Sequence, residues 1–247
     1  MSLENEPLGT NCFVSLTSKL DHCFKAFEST DDAQLFENNI IQANSNDDSK
    51  DDLVHLKRSL LMKTIHQFKA DDAEIEKYSL FDSSKPYTRN LIAANNNYTL
   101  LLLCWNPNIQ SKIHDHPCES CILMPLSGTL KEERFSYDGE SITDTKPFAI
   151  KFYLKGQVSY MNNSLGLHRI TNPRKYTNAI SLHLYYPPFG SCAAWSPATS
   201  VSTQLYVKEE VKMGTYSIRG LRTPTLEGRL GQYGRVMVEL KSKVSLQ

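Results

Sequence analysis

The chain has 247 residues, 40% apolar and 22% charged, with 27 basic against 27 acidic residues and therefore no net charge at neutral pH. That balance excludes a disordered chain, and it excludes a protein that grips nucleic acid or an anionic membrane through bulk charge. The longest apolar run, Leu100 to Trp105, is a strand's length and too short to cross a bilayer. The N-terminal MSLENEPLGTN has acidic residues and no apolar core, unlike a secretory signal. Six cysteines without such a signal imply a reducing, cytoplasmic setting in which thiols stay free.

In chain order, Leu16, Leu20, Phe24 and Phe27 recur at helical spacing, with charged residues between them. The acidic, apolar-free NSNDDSKDD (Asn44 to Asp52) is expected to be a solvated loop. Leu61, Ile65 and Phe68 then predict a second helix. From Tyr87 onward, short β-branched and aromatic runs alternate with turn signals. YTRNLIA and YTLLLLCW flank Asn95-Asn96-Asn97, a hairpin turn in which Asn tolerates positive φ. Further strands are expected at 112–116, 121–126, 129–136, 148–153, 157–161, 166–171, 178–186 and 203–211. Many short strands at regular spacing indicate a sandwich or barrel. The expected fold is mainly β, preceded by N-terminal helices and so α+β overall. Residues 1–80 form the helical segment, 81–224 the barrel and 225–247 a C-terminal extension, in one structural domain. Neutral charge and the lack of a coiled-coil seam lead us to expect a monomer.

His114-Asp115-His116 is the first chemical signal. Residues two apart on a strand share a face, so both imidazoles point one way and Asp115 the other. Such a pair is half a metal site, and in isolation H-x-H is more often polar surface. His168 and His183 are the candidates for a third ligand. Gly166, two residues before His168, permits close approach of a neighbouring strand. Ser181, His183 and Tyr185 alternate along one strand face. That row suits a hydrogen-bonded relay, or equally a satisfied polar stripe inside a barrel. Tyr87 and Arg89 also share a face, and a guanidinium turned into a barrel needs an anion, either a structural partner or a ligand. Trp105, Trp195 and Cys104 read as core. Cys118 and Cys121 make a C-x-x-C, but no second pair and no thioredoxin-like context accompany it.

The spacing of HDHPCESCILMPLSG resembles the first cupin motif, with Cys121 at the position of the usual Glu and Gly128 at that of the Gly. GLHRITN resembles the second, with His168 as third ligand. Cys in place of Glu narrows the resemblance to the thiol dioxygenases. Over about residues 85–224 the chain resembles the cysteine dioxygenase family through YTRNL, LCW, HDH, the Cys121 to Gly128 stretch, GLHR and SLHLYYPPFGSC. Within the family pattern, Pro117 and Cys118 are departures.

The resemblance implies a cupin, or jelly-roll, β-barrel. It implies a non-haem Fe(II) centre on His114, His116 and His168; three imidazoles by themselves would also suit Zn, Cu or Ni. It implies oxidation of L-cysteine by O2 to cysteine sulfinate, with substrate thiolate and amine chelating the iron. Arg89 would take the substrate carboxylate with help from the Tyr87 hydroxyl. Tyr185 would be catalytic, oriented by Ser181 and His183, and joined to Cys121 in a thioether cross-link; Cys121 could otherwise be a small buried apolar residue. Rivals are a dioxygenase of another small thiol such as 3-mercaptopropionate, a zinc-dependent hydrolase on the same barrel, and a non-catalytic cupin that binds an amino acid. No nucleic-acid or membrane partner is expected.

Overall fold

The computed structural model describes residues 12–28, 49–197, 206–212, 215–217 and 235–237. They fall into two compact units divided between Glu74 and Ile75.

The first unit holds α1 (Cys12–Glu28) and α2 (Ser49–Gln67). The apolar stripes follow the helical period: Leu16, Leu20, Leu61 and Ile65 are buried. The helices touch where Phe13 meets Phe68, ring centroids 5.3 Å apart, and where Cys23 Sγ lies 3.5 Å from Thr64 Oγ1. The expected acidic loop is corrected in part, because residues 49–52 already belong to α2. Residues 44–48 lie outside the described residues. A short α3 (Asp72–Tyr78), which the sequence reading missed, follows. Asp71 Oδ1 caps it by accepting the N–H groups of Ala73 at 2.9 Å and Glu74 at 3.1 Å. Among the described residues no helix is long and apolar enough to cross a membrane.

The second unit is mainly β. A seven-stranded sheet runs in the order β13-β12-β1-β2-β9-β4-β7, and a six-stranded sheet in the order β11-β10-β3-β8-β5-β6. The strands of the first sheet are β1 (Tyr87–Ala94), β2 (Thr99–Trp105), β4 (Ser120–Ser127), β7 (Ser159–Met161), β9 (Ala179–Tyr186), β12 (Thr215–Ser217) and β13 (Arg235–Met237). Those of the second are β3 (Ile113–His114), β5 (Thr129–Phe135), β6 (Ala149–Leu154), β8 (Leu167–Thr171), β10 (Ser191–Pro197) and β11 (Tyr206–Lys212). Leu91, Leu101, Leu103 and Leu123 from one sheet pack with Leu130, Ile170 and Cys192 from the other in a single apolar cluster, giving a core between two layers. β2 is buried along its whole length because β1 and β9 flank it and both its faces are covered.

Three details differ from the sequence expectations. The β1–β2 turn forms at Asn95, but by side-chain capping: Asn95 Oδ1 accepts the N–H groups of Asn97 and Tyr98, both at 2.9 Å. Among the described residues Asn108 is the only non-glycine with positive φ. β10 lies between the expected strands 178–186 and 203–211, where none was predicted, and β12 and β13 were not foreseen. Their short sequences become strands because neighbouring edges accept them. Of the C-terminal extension, only β13 is described; the rest lies outside the described residues.

Candidate metal centre

The six-stranded sheet carries the imidazoles. β3 pairs antiparallel with β8 so that His114 and His168 are direct cross-strand partners. The expected strand 112–116 is cut to Ile113–His114, so His116 stands beyond its end. His116 is held instead by its own N–H, which donates to Asn163 Oδ1 at 2.7 Å. Asp115 turns away, its carboxylate accepting the Ala193 N–H at 2.7 Å. The three rings converge, with centroids 4.6 to 4.9 Å apart. One nitrogen from each lies within 4.8 Å of the others.

The hydrogen bonds assign the tautomers. His114 Nδ1 donates to the Lys112 carbonyl at 2.9 Å, and His168 Nδ1 donates to Glu132 Oε1 at 2.7 Å. In both rings Nε2 keeps its lone pair for the centre. His116 is 1% exposed, and neither of its ring nitrogens has a hydrogen-bond partner. Burial, with the neighbouring imidazoles adding to it, pushes His114 down to about 3 and His116 well below the usual histidine value. Neutral imidazoles with inward lone pairs and an orphaned buried nitrogen are what a divalent cation requires, so the residues fit a metal.

Glu132, which the sequence reading missed, anchors this sheet's contribution. Its Oε2 accepts from Arg134 at 3.1 Å, Tyr153 at 3.0 Å and Ser159 at 3.2 Å, while Oε1 holds His168. Burial opposes ionisation, but the hydrogen bonds from His168 and Tyr153 and the charge of Arg134 outweigh it and hold the carboxyl at about 2. A signal was present: in TLKEERF the alternation turns Glu132 to the same side as the apolar Leu130.

The seven-stranded sheet carries the opposite wall. Register sets Tyr87 beside Trp105 and Arg89 beside Leu103. The same sheet sets Ser181 beside Leu103, His183 beside Leu101, and Tyr185 beside Cys121. All these residues therefore face inward. Arg89 donates to Tyr87 Oη at 3.2 Å, and the Tyr87 ring stacks on Trp105 at 4.5 Å. The Arg89 charge is felt across the cavity, where it lowers the pKa of His114 and His183.

Trp105 is core, as expected, but it also starts a directed relay. An indole N–H can only donate, and Nε1 donates to Ser181 Oγ at 2.9 Å. Ser181 therefore turns its own hydrogen to His183 Nε2, 2.8 Å away. His183 must then carry its proton on Nδ1 and donate to Tyr185 Oη at 3.2 Å. Burial above all keeps this imidazole well below its ordinary pKa, so it stays neutral. Tyr185 accepts from His183, which leaves the phenol hydrogen to point away from it. Burial raises the Tyr185 phenol and the Cys121 thiol well above their usual values, and a hydrogen bond from Tyr185 works against the latter shift.

Between the two walls lies a small cavity, bounded by the three imidazoles on one side, Tyr87, Arg89, His183 and Tyr185 on the other, and Phe189. The structure thus brings the expected histidines, Tyr87, Arg89, His183 and Tyr185 to one space, with Ser181 and Cys121 directly behind. Phe189, two residues before β10, packs edge-on against Tyr185, ring centroids 5.4 Å apart.

Residues 49–198 match the family model for cysteine dioxygenase type I, more than half of the chain. The chain belongs to the cysteine dioxygenase type I family. It is 36% identical to human cysteine dioxygenase type 1 over 158 residues, 64% of this chain and 76% of the relative. It is 36% identical to the Rattus norvegicus enzyme over 168 residues (67% and 80%) and to that of Danio rerio over 184 residues (66% and 88%). Among solved structures it resembles an RmlC-like cupin protein from Desulfovibrio desulfuricans at 17% identity and a TM-score of 0.36, over 49% of this chain and 98% of the other. That likeness is too slight to add to the family assignment.

Proposed function

We propose that this protein is a non-haem iron cysteine dioxygenase that converts L-cysteine and O2 to cysteine sulfinate. The observation that carries the reading is a single cavity with three neutral imidazoles on one wall and a guanidinium and a phenol on the other. His114, His116 and His168 would hold the metal. Iron(II) on three neutral nitrogens supplies Lewis acidity towards the thiol and the electron chemistry that couples it to dioxygen.

The remaining work falls to the chain. Arg89 is the fixed positive charge opposite the imidazoles. It takes the carboxylate of a small amino acid in a forked hydrogen bond, and Tyr87 keeps the guanidinium in place. With the carboxylate at that wall, the amine and sulfur face the imidazoles. Tyr185, fixed by the Trp105–Ser181–His183 relay, presents its O–H at the reacting end. Leu103, Trp105, Ile170 and Phe189 give the cavity apolar walls that exclude water from the sulfur. The register of Cys121 opposite Tyr185 supports a thioether between them. Its formation removes two hydrogen atoms, with dioxygen as their acceptor, and intact-mass analysis reads it directly. All six cysteines are free in the structure, which supports a reducing, cytoplasmic setting.

The test is stoichiometric. Iron-loaded protein is given L-cysteine in an oxygen-electrode cell, and products are identified by NMR. Equal consumption of cysteine and O2 with sulfinate as product is expected; thiol loss as disulfide, without sulfinate, refutes the reading.

A further inference from the structure

We propose, on the reading of His114, His116 and His168 as metal ligands, that Ser111 is a positioning residue, holding the Lys112 carbonyl that orients His114. His114 needs such support more than the other ring on its sheet. β3 is only two residues long. His168 has a carboxylate behind its Nδ1, whereas His114 has a main-chain carbonyl. A carbonyl points wherever its planar peptide unit points, so whatever fixes that peptide also aims the ring.

The chain approaching β3 pairs with the end of β8 through a bridge between Gln110 and Thr171. Two regular bonds flank the bridge: the Ser111 N–H donates to the Ile170 carbonyl and the Asn172 N–H to the Ile109 carbonyl, both at 2.8 Å. In an unbroken antiparallel ladder the Ile170 N–H would return to the Ser111 carbonyl. It goes instead to the Ser111 hydroxyl, at 3.0 Å. The register explains the exchange. Three residues separate Gln110 from His114, but two separate their partners Thr171 and His168. One extra residue on the β3 side is a β-bulge, a device that re-aims side chains beside active sites.

The Ser111 side chain repairs the ladder and extends it towards the centre. Having accepted from Ile170, the hydroxyl donates to the Lys112 carbonyl at 2.9 Å. The same carbonyl accepts from His114 Nδ1 at 2.9 Å, and its two lone pairs can serve both donors. A continuous path therefore runs from the Ile170 N–H through the Ser111 hydroxyl and the Lys112 carbonyl to the His114 ring. Ser111 is 5% exposed, which keeps water from taking over these bonds. β8 also carries His168, so the clamp fixes the support of one imidazole against the strand that bears another. An alanine at 111 can neither accept nor donate. The Ile170 N–H would be left without an acceptor, and the Lys112 peptide would be free to tilt. His114 Nδ1 would then lose its acceptor, and the ring proton could move to Nε2, the nitrogen meant for the metal.

Long-range 1H–15N NMR of the metal-free full chain, labelled at histidine, reads which ring nitrogen carries the proton. In wild type, His114 is expected as the Nδ1–H form. In Ser111→Ala it is expected as a mixture with the Nε2–H form, while His168, held by Glu132, stays unchanged and shows that the fold is kept. Competition for Co(II) against a coloured chelator is expected to show about tenfold weaker binding in Ser111→Ala, the lower end of what loss of an outer partner does. Should the alanine variant fail to fold, Ser111→Cys, whose thiol is a weak donor and a weak acceptor, is expected to show the same shift. A His114 ring that keeps its proton on Nδ1 in the folded variant, or a Co(II) affinity within twofold of wild type, overturns the proposal. Wild-type protein that takes up no Co(II) refutes the metal reading instead, and the two failures are told apart because the tautomers are compared without metal.

Discussion

Replacing Glu132 with Gln tests the carboxylate behind the metal centre at nearly constant volume. The glutamate makes four hydrogen bonds at 2.7 to 3.2 Å and is 1% exposed. An amide cannot keep them all. If its oxygen stays on His168 Nδ1, its NH2 meets the Arg134 guanidinium, which cannot accept. If the amide flips, its NH2 meets His168 Nδ1 and drives the proton to Nε2, removing the lone pair meant for the metal. Either way a charge-assisted bond inside the protein is lost, which costs about 2–4 kcal/mol of stability. Loss of an outer partner of this kind lowers metal affinity about 10- to 100-fold, or ~1.4–2.7 kcal/mol. Competition for Co(II) or Zn(II) against a coloured chelator reads the affinity, and urea unfolding reads the stability. Glu133→Gln is the control, because its partners Lys131 and Arg169 lie on the outer face. Glu133 is itself buried, so its loss of charge should cost about 1–3 kcal/mol of stability, but metal affinity should not move. Metal binding by Glu132→Gln within twofold of wild type would refute the reasoning.

Arg89→Ala should raise KM for cysteine about 10- to 100-fold, the worth of a charged hydrogen-bonded contact, while leaving cysteamine, which lacks the carboxylate, nearly unaffected. Equal losses for both thiols in steady-state assays would count against a carboxylate site. Ser181→Ala breaks the relay between Trp105 and His183 and strands the indole N–H, costing about 1–3 kcal/mol; turnover should drop more than KM rises. Unchanged kcat in that variant would remove Tyr185 orientation from the mechanism. Gly166 has φ 91° and ψ −157°, and an added Cβ would stand 2.5 Å from the Phe135 carbonyl oxygen. Gly166→Ala should therefore lose at least ~2 kcal/mol in urea unfolding, since that backbone conformation is nearly closed to other residues.

The sequence by itself determined what local pattern can encode. Helical periodicity gave α1 and most of α2. Alternation gave the strands from β1 to β9, and with them the inward faces of Tyr87, Arg89, Ser181, His183 and Tyr185. The resemblance of HDH and GLH to the two cupin motifs named the imidazoles, since strand alternation alone left His168 and His183 both open as the third. The tertiary structure decided everything that depends on which strands become neighbours. β10 exists because β3 and β11 pair with it, not because SCAAWSP has a strand's pattern. Glu132 reaches His168 only through the β5–β8 ladder, thirty-six residues away along the chain. The direction of the Trp105–Ser181–His183–Tyr185 relay depends on an indole seventy-six residues from the serine. Whether the apolar row of Phe148, Ile150, Phe152 and Leu154 lies buried or open is likewise a fact of sheet order, since an apolar alternation reads the same in the centre of a sheet as at its edge. Periodicity fixes a side chain's direction relative to its own backbone; only the packing of distant segments fixes what that direction meets.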